Sequence, residues 1–306
     1  METRLLKYTR EVYRQQSFTK AADRLRIAQP SLSQQIAKFE KELGVRLFFR
    51  RRGKVTPTPE GIHFLKKADH ILQMIDDLER EIQEQSEGMG TELTIGTTVI
   101  TGGHVLPPLL QSYQALYPNV HVRLVEEATA KLTELTATGD VDLCILSLPV
   151  EDSRLTTKTM LTEPLFLALP RVDKEWMSEE VRSLITSPDI HPTVTLPLTK
   201  LSTAPFILLK KGYGFRQTTF ALCAENGFQP RIAFETSSIQ TALSLVTYGL
   251  GVTLVPEMVA RNNREPLYVS LRSNPTRTIV FAYNKDRYLN KAAKAFLNMY
   301  EKKTSS

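Results

Sequence analysis

Cysteine is nearly absent. The 306 residues hold two, Cys144 and Cys223, far apart and outside any Cys-x-x-Cys or Cys/His spacing, so neither a disulfide framework nor a zinc site is supported. Both read as small buried hydrophobes. Cys144 lies inside the apolar run Leu143 to Leu146, a poor place for a reactive thiolate, which argues against a thiol switch built on the two. A run of about 18 apolar residues is also missing, and Met1 to Arg14 carries charges where a leader would carry an apolar segment. A cytoplasmic protein with no membrane partner is expected. The five histidines, His63, His70, His104, His121 and His191, show no metal-binding spacing, and there is no Gly-x-Ser-x-Gly elbow or phosphate loop. No nucleophile, base, metal ligand or cofactor can be named, which speaks against an enzyme.

Basic charge is unevenly placed. Residues 1 to 66 carry 15 Lys/Arg against six Asp/Glu, a net of +9, whereas residues 67 to 306 carry 24 against 27, a net of −3. Cations stacked at one end suit a polyanion, because neutralising phosphates releases condensed counterions. Double-stranded DNA is the expected partner. At this length, with 42% hydrophobic residues, the chain exceeds one ordinary core and suits a small head plus roughly 200 further residues.

Within the head, Ser17 caps a helix whose Phe18, Ala21, Ala22 and Leu25 repeat at helical spacing. A second helix runs from Gln29 to Leu43, with Pro30 in its first turn and Gly44 as its stop. Leu32, Ile36, Phe39 and Leu43 form its buried stripe. Ser31, Ser33, Gln34, Gln35 and Lys38 then face outward, a surface of donors and acceptors with little bulk that suits the major groove. Together these read as a helix-turn-helix. Leu47 to Pro57 reads as two strands around a tight turn, and Arg50, Arg51, Arg52 and Lys54 crowd four cations into five residues. This is a wing reaching phosphate or a minor groove. Thr58 and Pro59 then start a long helix whose Leu65, Ala68, Leu72, Ile75 and Ile82 suggest pairing with a second copy, and Gly88-Met89-Gly90 reads as a hinge.

The string Phe18-Thr19-Lys20-Ala21-Ala22, Leu25, Gln29-Pro30-Ser31-Leu32-Ser33-Gln34-Gln35-Ile36, Phe39-Glu40, Leu43-Gly44-Val45-x-Leu47-Phe48-x-Arg50, Val55-Thr56-x-Thr58-x-x-Gly61 resembles the LysR-type transcriptional regulators. The resemblance implies an α+β winged helix-turn-helix with the Gln29 to Lys38 helix in the groove. Pro57 stands where the family more often has Leu and Gln34 where many members have Arg, so base preference does not transfer.

Beyond the hinge, β-rich runs alternate with helices: Leu93 to Thr97, Val105 to Tyr117, Val120 to Glu126, Lys131 to Gly139 and Leu143 to Ser147. A second set holds Leu165 to Leu169, Phe206 to Leu209, Arg231 to Glu235, Ile239 to Tyr248 and Val252 to Val255. This alternation argues a parallel α/β sheet in each of two subdomains, with crossovers near Leu155 to Leu161 and Glu265 to Leu271 and a return through Ile279 to Tyr283 and Leu289 to Tyr300. It is similar to the periplasmic-binding-protein-like effector domain of the same family. The expected division is residues 1–58 for DNA binding, 59–88 for the linker and dimerisation helix, 91–162 with 269–303 for effector subdomain I, and 163–268 for subdomain II. Residues Val172 to Leu196, with Trp176, Pro188 and Pro192, read as a connection about ten residues longer than usual.

Ligands of such sheets bind beyond the carboxyl ends of strands, where helix N-termini offer unpaired N–H groups. Those ends are rich in hydroxyls and glycine here, suited to a carboxylate or similar anion. By resemblance the effector contacts are Thr98, Val99, Ile100, Thr101, Ser147, Gly212, Tyr213, Gly214, Phe215 and Ser237. Arg216 reads equally as an anion partner or a solvated charge, and His104 as structural. The resemblance further implies a homodimer through the linker helix, a homotetramer, and RNA polymerase as a further partner.

Overall fold

The computed structural model describes residues 2–51, 54–87, 92–186, 195–262 and 265–304. Two compact units emerge, Met1–Glu87 and Gly88–Ser306.

The first unit holds α1 (Thr3–Gln15), α2 (Phe18–Leu25), α3 (Gln29–Leu43), β1 (Phe48–Arg51), β2 (Lys54–Pro57) and α4 (Pro59–Glu87). Ser17 caps α2 by accepting from the Lys20 N–H, and Gly44 closes α3 at φ +72°. Val12, Phe18, Ala21, Leu32, Ile36 and Phe39 are buried in one core. Gly61 has a specific cause: a Cβ there would stand 2.0 Å from the Leu47 carbonyl oxygen, so only glycine lets α4 start against the wing.

Two expectations for the head need correction, and one helix is additional to them. Helix α1 had no counterpart in the sequence reading, although its Leu6, Thr9 and Val12 are buried at helical spacing among basic residues. Leu43, placed in the buried stripe of α3, is 38% exposed because the last turn of the helix runs past the core. The α4 stripe is divided. Leu65, Ala68 and Leu72 are buried, the last two with Leu6 of α1, so they fill the head itself. Ile71, Met74, Leu78 and Ile82, displaced around the helix, are left exposed, as is Ile62 in the first turn. The hinge at 88–90 lies outside the described residues.

The second unit runs β3 (Glu92–Thr97), α5 (Val99–Leu116), β4 (His121–Glu126), α6 (Thr129–Thr138), β5 (Leu143–Ser147), β6 (Leu155–Leu169), α7 (Glu179–Thr186), β7 (Thr195–Leu196), β8 (Pro205–Leu209), α8 (Gly214–Glu225), β9 (Arg231–Thr236), α9 (Ile239–Thr247), β10 (Thr253–Pro256), α10 (Glu257–Asn262), β11 (Leu267–Leu271), β12 (Thr276–Asn284) and α11 (Lys291–Thr304). An eight-stranded sheet has the order β4-β3-β5-β12-β6-β11-β7, with β10 also on β6, while β8 and β9 form a parallel pair. Beside it lie two large cores, one around Leu93, Tyr113, Phe281 and Phe296, the other around Leu167, Phe206, Leu243 and Val255.

The sheet is mixed, not parallel. β3 runs parallel to β4 and β5, but β12 is antiparallel to both β5 and β6, and β10 and β11 are antiparallel to β6. The crossovers expected near Leu155 to Leu161 and Glu265 to Leu271 are themselves paired strands. The crossover expected near Leu155 to Leu161 and the strand expected at Leu165 to Leu169 are one strand, β6, which runs through Pro164 although proline cannot donate to a ladder. Pro164 sits where the partner changes from β12 to β10 and β11. β11, divided by the expected boundary at residue 269, belongs to the second core through Leu267, Val269 and Leu271. The long segment 172–196 contains α7, with Val181 and Ile185 packed into that core, and residues 187–194, including Pro188, His191 and Pro192, lie outside the described residues.

Candidate functional site

The polar face of α3 stands clear of the head's core. Ala28 offers α3 no side-chain cap, and Gln29, Pro30, Ser31, Gln34 and Lys38 are exposed, while Ser33 and Gln35 are half-buried. Ser31 Oγ accepts from Gln35 Nε2 at 3.1 Å. The Lys38–Glu42 pair, 3.9 Å apart with both partners exposed, holds the ammonium only weakly. Two glutamine amides and an ammonium are thus presented from one helix face, the groups that read base edges and phosphate.

Three ties hold the wing in place, one of them to α3. The Val55 N–H donates to Gln16 O (3.1 Å), Glu40 Oε1 accepts from the Leu47 and Phe48 N–H groups (2.7 and 3.1 Å), and Thr58 Oγ1 donates to Arg46 O (2.6 Å). Phe48 pairs Pro57 and Arg51 pairs Lys54 across the hairpin. Arg50, expected among the DNA contacts, is exposed but already engaged within the head. Its Nη1 donates to Ser33 Oγ at 2.9 Å, Nη2 lies 3.8 Å from Glu40, and the guanidinium covers the Phe18 ring at 4.4 Å. Arg52 and the side chains of Arg51 and Lys54 lie outside the described residues.

In the second unit, α5, expected to begin near Val105, starts at Val99. Gly102, Gly103, Pro107 and Pro108 hide the helix in the sequence. Thr98 caps it, accepting from the Thr101 N–H (3.5 Å) and donating to Thr101 Oγ1 (3.2 Å). Thr101 is buried, Val99 is 54% exposed, and Ile100 is buried in the second core although α5 otherwise packs in the first. The helix therefore begins at the junction of the two cores. His104 Nδ1 is 2.8 Å from Ile100 O, a backbone tie.

The glycine loop is tied to α6. Gly214 N–H donates to Thr129 Oγ1 (3.0 Å) and the Ala130 N–H donates to Gly212 O (3.1 Å), joining the start of α6 to the start of α8. Gly212 takes φ +94°, which requires glycine whatever the space. Tyr213 precedes α8, and Phe215 and Arg216 are buried in its first turn. Arg216 is engaged by the Leu209 carbonyl and by Glu235, so it is a structural charge. Ser237 is exposed, and its neighbour Ser238 caps α9 instead.

Between these elements lies a buried charge pair. Arg277 of β12 and Glu163 of β6 face each other in register, with side chains 3% and 6% exposed. Arg277 Nε and Nη2 reach Glu163 Oε1 at 2.8 and 2.7 Å, and Glu163 Oε2 accepts from the Met258 N–H at 2.9 Å. Arg277 Nη1 donates to Ser147 Oγ at 3.4 Å, and the Phe215 ring centre lies 5.7 Å from the guanidinium carbon. Burial pushes the Arg277 guanidinium below its usual range, and the Glu163 charge beside it opposes that shift. The arrangement brings Ser147 and Phe215 together around one guanidinium.

The profile of the lysR-family bacterial regulatory helix-turn-helix protein matches residues 3–62, and that of the LysR substrate binding domain matches residues 86–305. The chain belongs to the LysR family. It is a LysR-type DNA-binding transcriptional regulator with an effector-binding domain. The Bacillus subtilis (strain 168) HTH-type transcriptional regulator YcgK is 49% identical over 304 residues, 98% of this chain and 94% of that one. The Escherichia coli (strain K12) dual regulator OxyR is 28% identical, covering 92% of this chain and 89% of its own. Full-length CbnR complexed with its target DNA shares the fold at 22% identity and a TM-score of 0.62, covering 99% of both chains.

This LysR-family chain keeps its thiols out of reach. Cys144 and Cys223 are free, fully buried and in different core clusters, and burial pushes their thiols up to about 12 and about 11. Among the described residues, no group of three or more His, Cys, Asp or Glu is placed to hold a metal, and no helix is long and apolar enough to cross a membrane. The sequence reading missed Arg277, Glu163, Met258 and Thr129. A signal existed for two of them: Arg277 alternates in phase with Ile279, and Glu163 with Leu165 and Leu167, so each charge points where apolar neighbours point.

Proposed function

We propose that this regulator reads a specific DNA site through Gln29, Pro30, Ser31, Ser33, Gln34 and Lys38 of α3, with Arg51, Arg52 and Lys54 of the wing on the phosphates. Its DNA binding is adjusted by a small anionic effector held between the two cores of the second unit. The observation that carries this reading is Arg277, which reaches Ser147 at the end of β5 and lies over Phe215 at the start of α8, while Ile100 at the start of α5 packs in the same core as Phe215. Thr98, Val99, Ile100, Thr101, Ser147 and Gly212 to Phe215 are the proposed contacts, and Ser237, though exposed, completes the set. An effector shifts the regulator between arrangements only by binding them unequally. The division into residues 1–58, 59–88, 91–162 with 269–303, and 163–268 is retained as a working scheme, with β11 moved to the second lobe. The exposed Ile71, Met74, Leu78 and Ile82 support a dimer through α4. Dimers pair into a tetramer, and RNA polymerase is the further partner on DNA.

The test is fluorescence anisotropy on DNA from upstream of the protein's own gene against scrambled DNA, over a salt series. Specific, steeply salt-dependent binding is expected, with Gln34→Ala weakening the specific site selectively and Thr101→Ala sparing DNA binding but losing effector response. Equal weak binding to both DNAs would overturn the specific reading.

A further inference from the structure

A guanidinium has two edges that can each grip a planar anion, and Arg277 uses only one of them well. Glu163 occupies the side-on edge, Nε and Nη2, at 2.8 and 2.7 Å. Among the described residues, the end-on edge, Nη1 and Nη2, meets only the Ser147 hydroxyl and the Met258 thioether sulfur, each at 3.4 Å. Charge-assisted bonds from a guanidinium run at about 2.7–2.9 Å, so that edge is underserved in a group that is 97% buried by its 3% exposure. Its Nη1 donates to Ser147, which is half-buried at the end of β5, and the guanidinium carbon lies 5.7 Å from the centre of the Phe215 ring in the first turn of α8.

We propose that Arg277 is the anion anchor of the effector cleft and that the effector is a small monocarboxylate, gripped end-on while Glu163 holds the opposite edge. The inference rests on the cleft reading above and adds the anchor and the ligand class. Glu163 fixes the guanidinium in place, so little side-chain freedom is lost on binding. It also sets the charge limit. Two carboxylates sharing one buried guanidinium already leave one negative charge, and a second charge on the ligand would be uncompensated. Ser147 gives up its long contact and turns its hydroxyl to the same carboxylate. Phe215 and Met258 supply an apolar wall for the body of the ligand.

The test is binding to the full chain, by thermal shift and titration calorimetry, of hexanoate and phenylacetate, their primary amides, and adipate as a dicarboxylate. Two variants accompany it: Arg277→Lys, which keeps the charge without the fork, and Arg277→Leu with Glu163→Leu, which replaces the buried pair by apolar side chains so that no lone charge is left to unfold the lobe. Hexanoate or phenylacetate is expected to bind, the amides and adipate not, with Kd about 10- to 100-fold weaker in Arg277→Lys and binding lost in the double variant. Equal binding of an amide, retention of binding by the double variant, or no binding of either monocarboxylate overturns the proposal. Thr101→Val separates the two levels. Binding lost with Thr101→Val but kept by the double variant leaves the cleft and removes the anchor, whereas binding indifferent to both removes the cleft as well.

Discussion

Replacing Arg50 by Ala tests whether a cation of the wing serves DNA directly or serves the helix that reads it. Arg50 donates to Ser33 Oγ at 2.9 Å, covers Phe18 at 4.4 Å and lies 3.8 Å from Glu40, with its own side chain 43% exposed. A hydrogen bond from a charged donor contributes about 1.5–3 kcal/mol and an exposed cation–π contact about 0.5–1 kcal/mol. The long ion pair adds little, and solvent screening of this half-exposed group brings the net to about 1.5–2 kcal/mol. For a unit of this size the midpoint of the head's thermal transition should fall by about 6–16 °C. On DNA, Arg50→Ala should weaken the specific site, leave the slope of log K against log salt unchanged, and couple to Ser33→Ala in a double-mutant cycle by about 1 kcal/mol. Anisotropy titrations of the two single variants and the double variant over a salt series measure all three quantities. A slope reduced by about 0.9 with additive single effects would show that Arg50 swings out to a phosphate, and the positioning argument would fail.

Arg51→Ala should behave in the opposite way, weakening specific and scrambled DNA alike and lowering the same salt slope by about 0.9. On α4 two leucines six residues apart should separate cleanly: Leu72→Ala, buried against α1, costs the head about 2–5 kcal/mol in chemical denaturation, whereas Leu78→Ala, 55% exposed, changes that stability by less than about 0.5 kcal/mol and weakens self-association in sedimentation. Both thiols should resist an alkylating reagent at about pH 8 in the native protein and react on unfolding, because burial keeps them protonated. The raised values make this contribution to stability complete below the unfolded thiol's range and lost as pH climbs towards about 11 to 12, so alkaline midpoints should fall there; fast native-state alkylation would contradict the burial.

The reading of α3 from sequence rested on a period that burial alone enforces, and Leu32, Ile36 and Phe39 sit where that period places them. The wing was visible for the same reason, since a basic turn between short β-rich runs has few other uses. The start of α5 was not, because two glycines and two prolines speak against a helix locally, and packing at the junction of the cores overrides that preference. The continuity of β6 was hidden by Pro164, whose missing N–H matters only if the ladder needs it at that position. Effector contacts are harder again. Ser147 and Phe215 stand 68 residues apart in sequence and meet only because Arg277, a further 62 residues on, reaches both. No local pattern records such a meeting.

The place of β12 has a consequence for how the chain is made. This strand lies between β5 and β6, yet about 110 residues separate its first residue from the last of β6. The head's core, by contrast, closes within residues 6–72. During synthesis the ribosome therefore delivers everything the DNA-reading core needs early, while the sheet of the second unit waits with two unpaired edges until residue 284 has emerged. A transcript or polypeptide cut short before β12 would yield a protein with the means to hold an operator, an incomplete sensor, and exposed strand edges that invite aggregation and clearance.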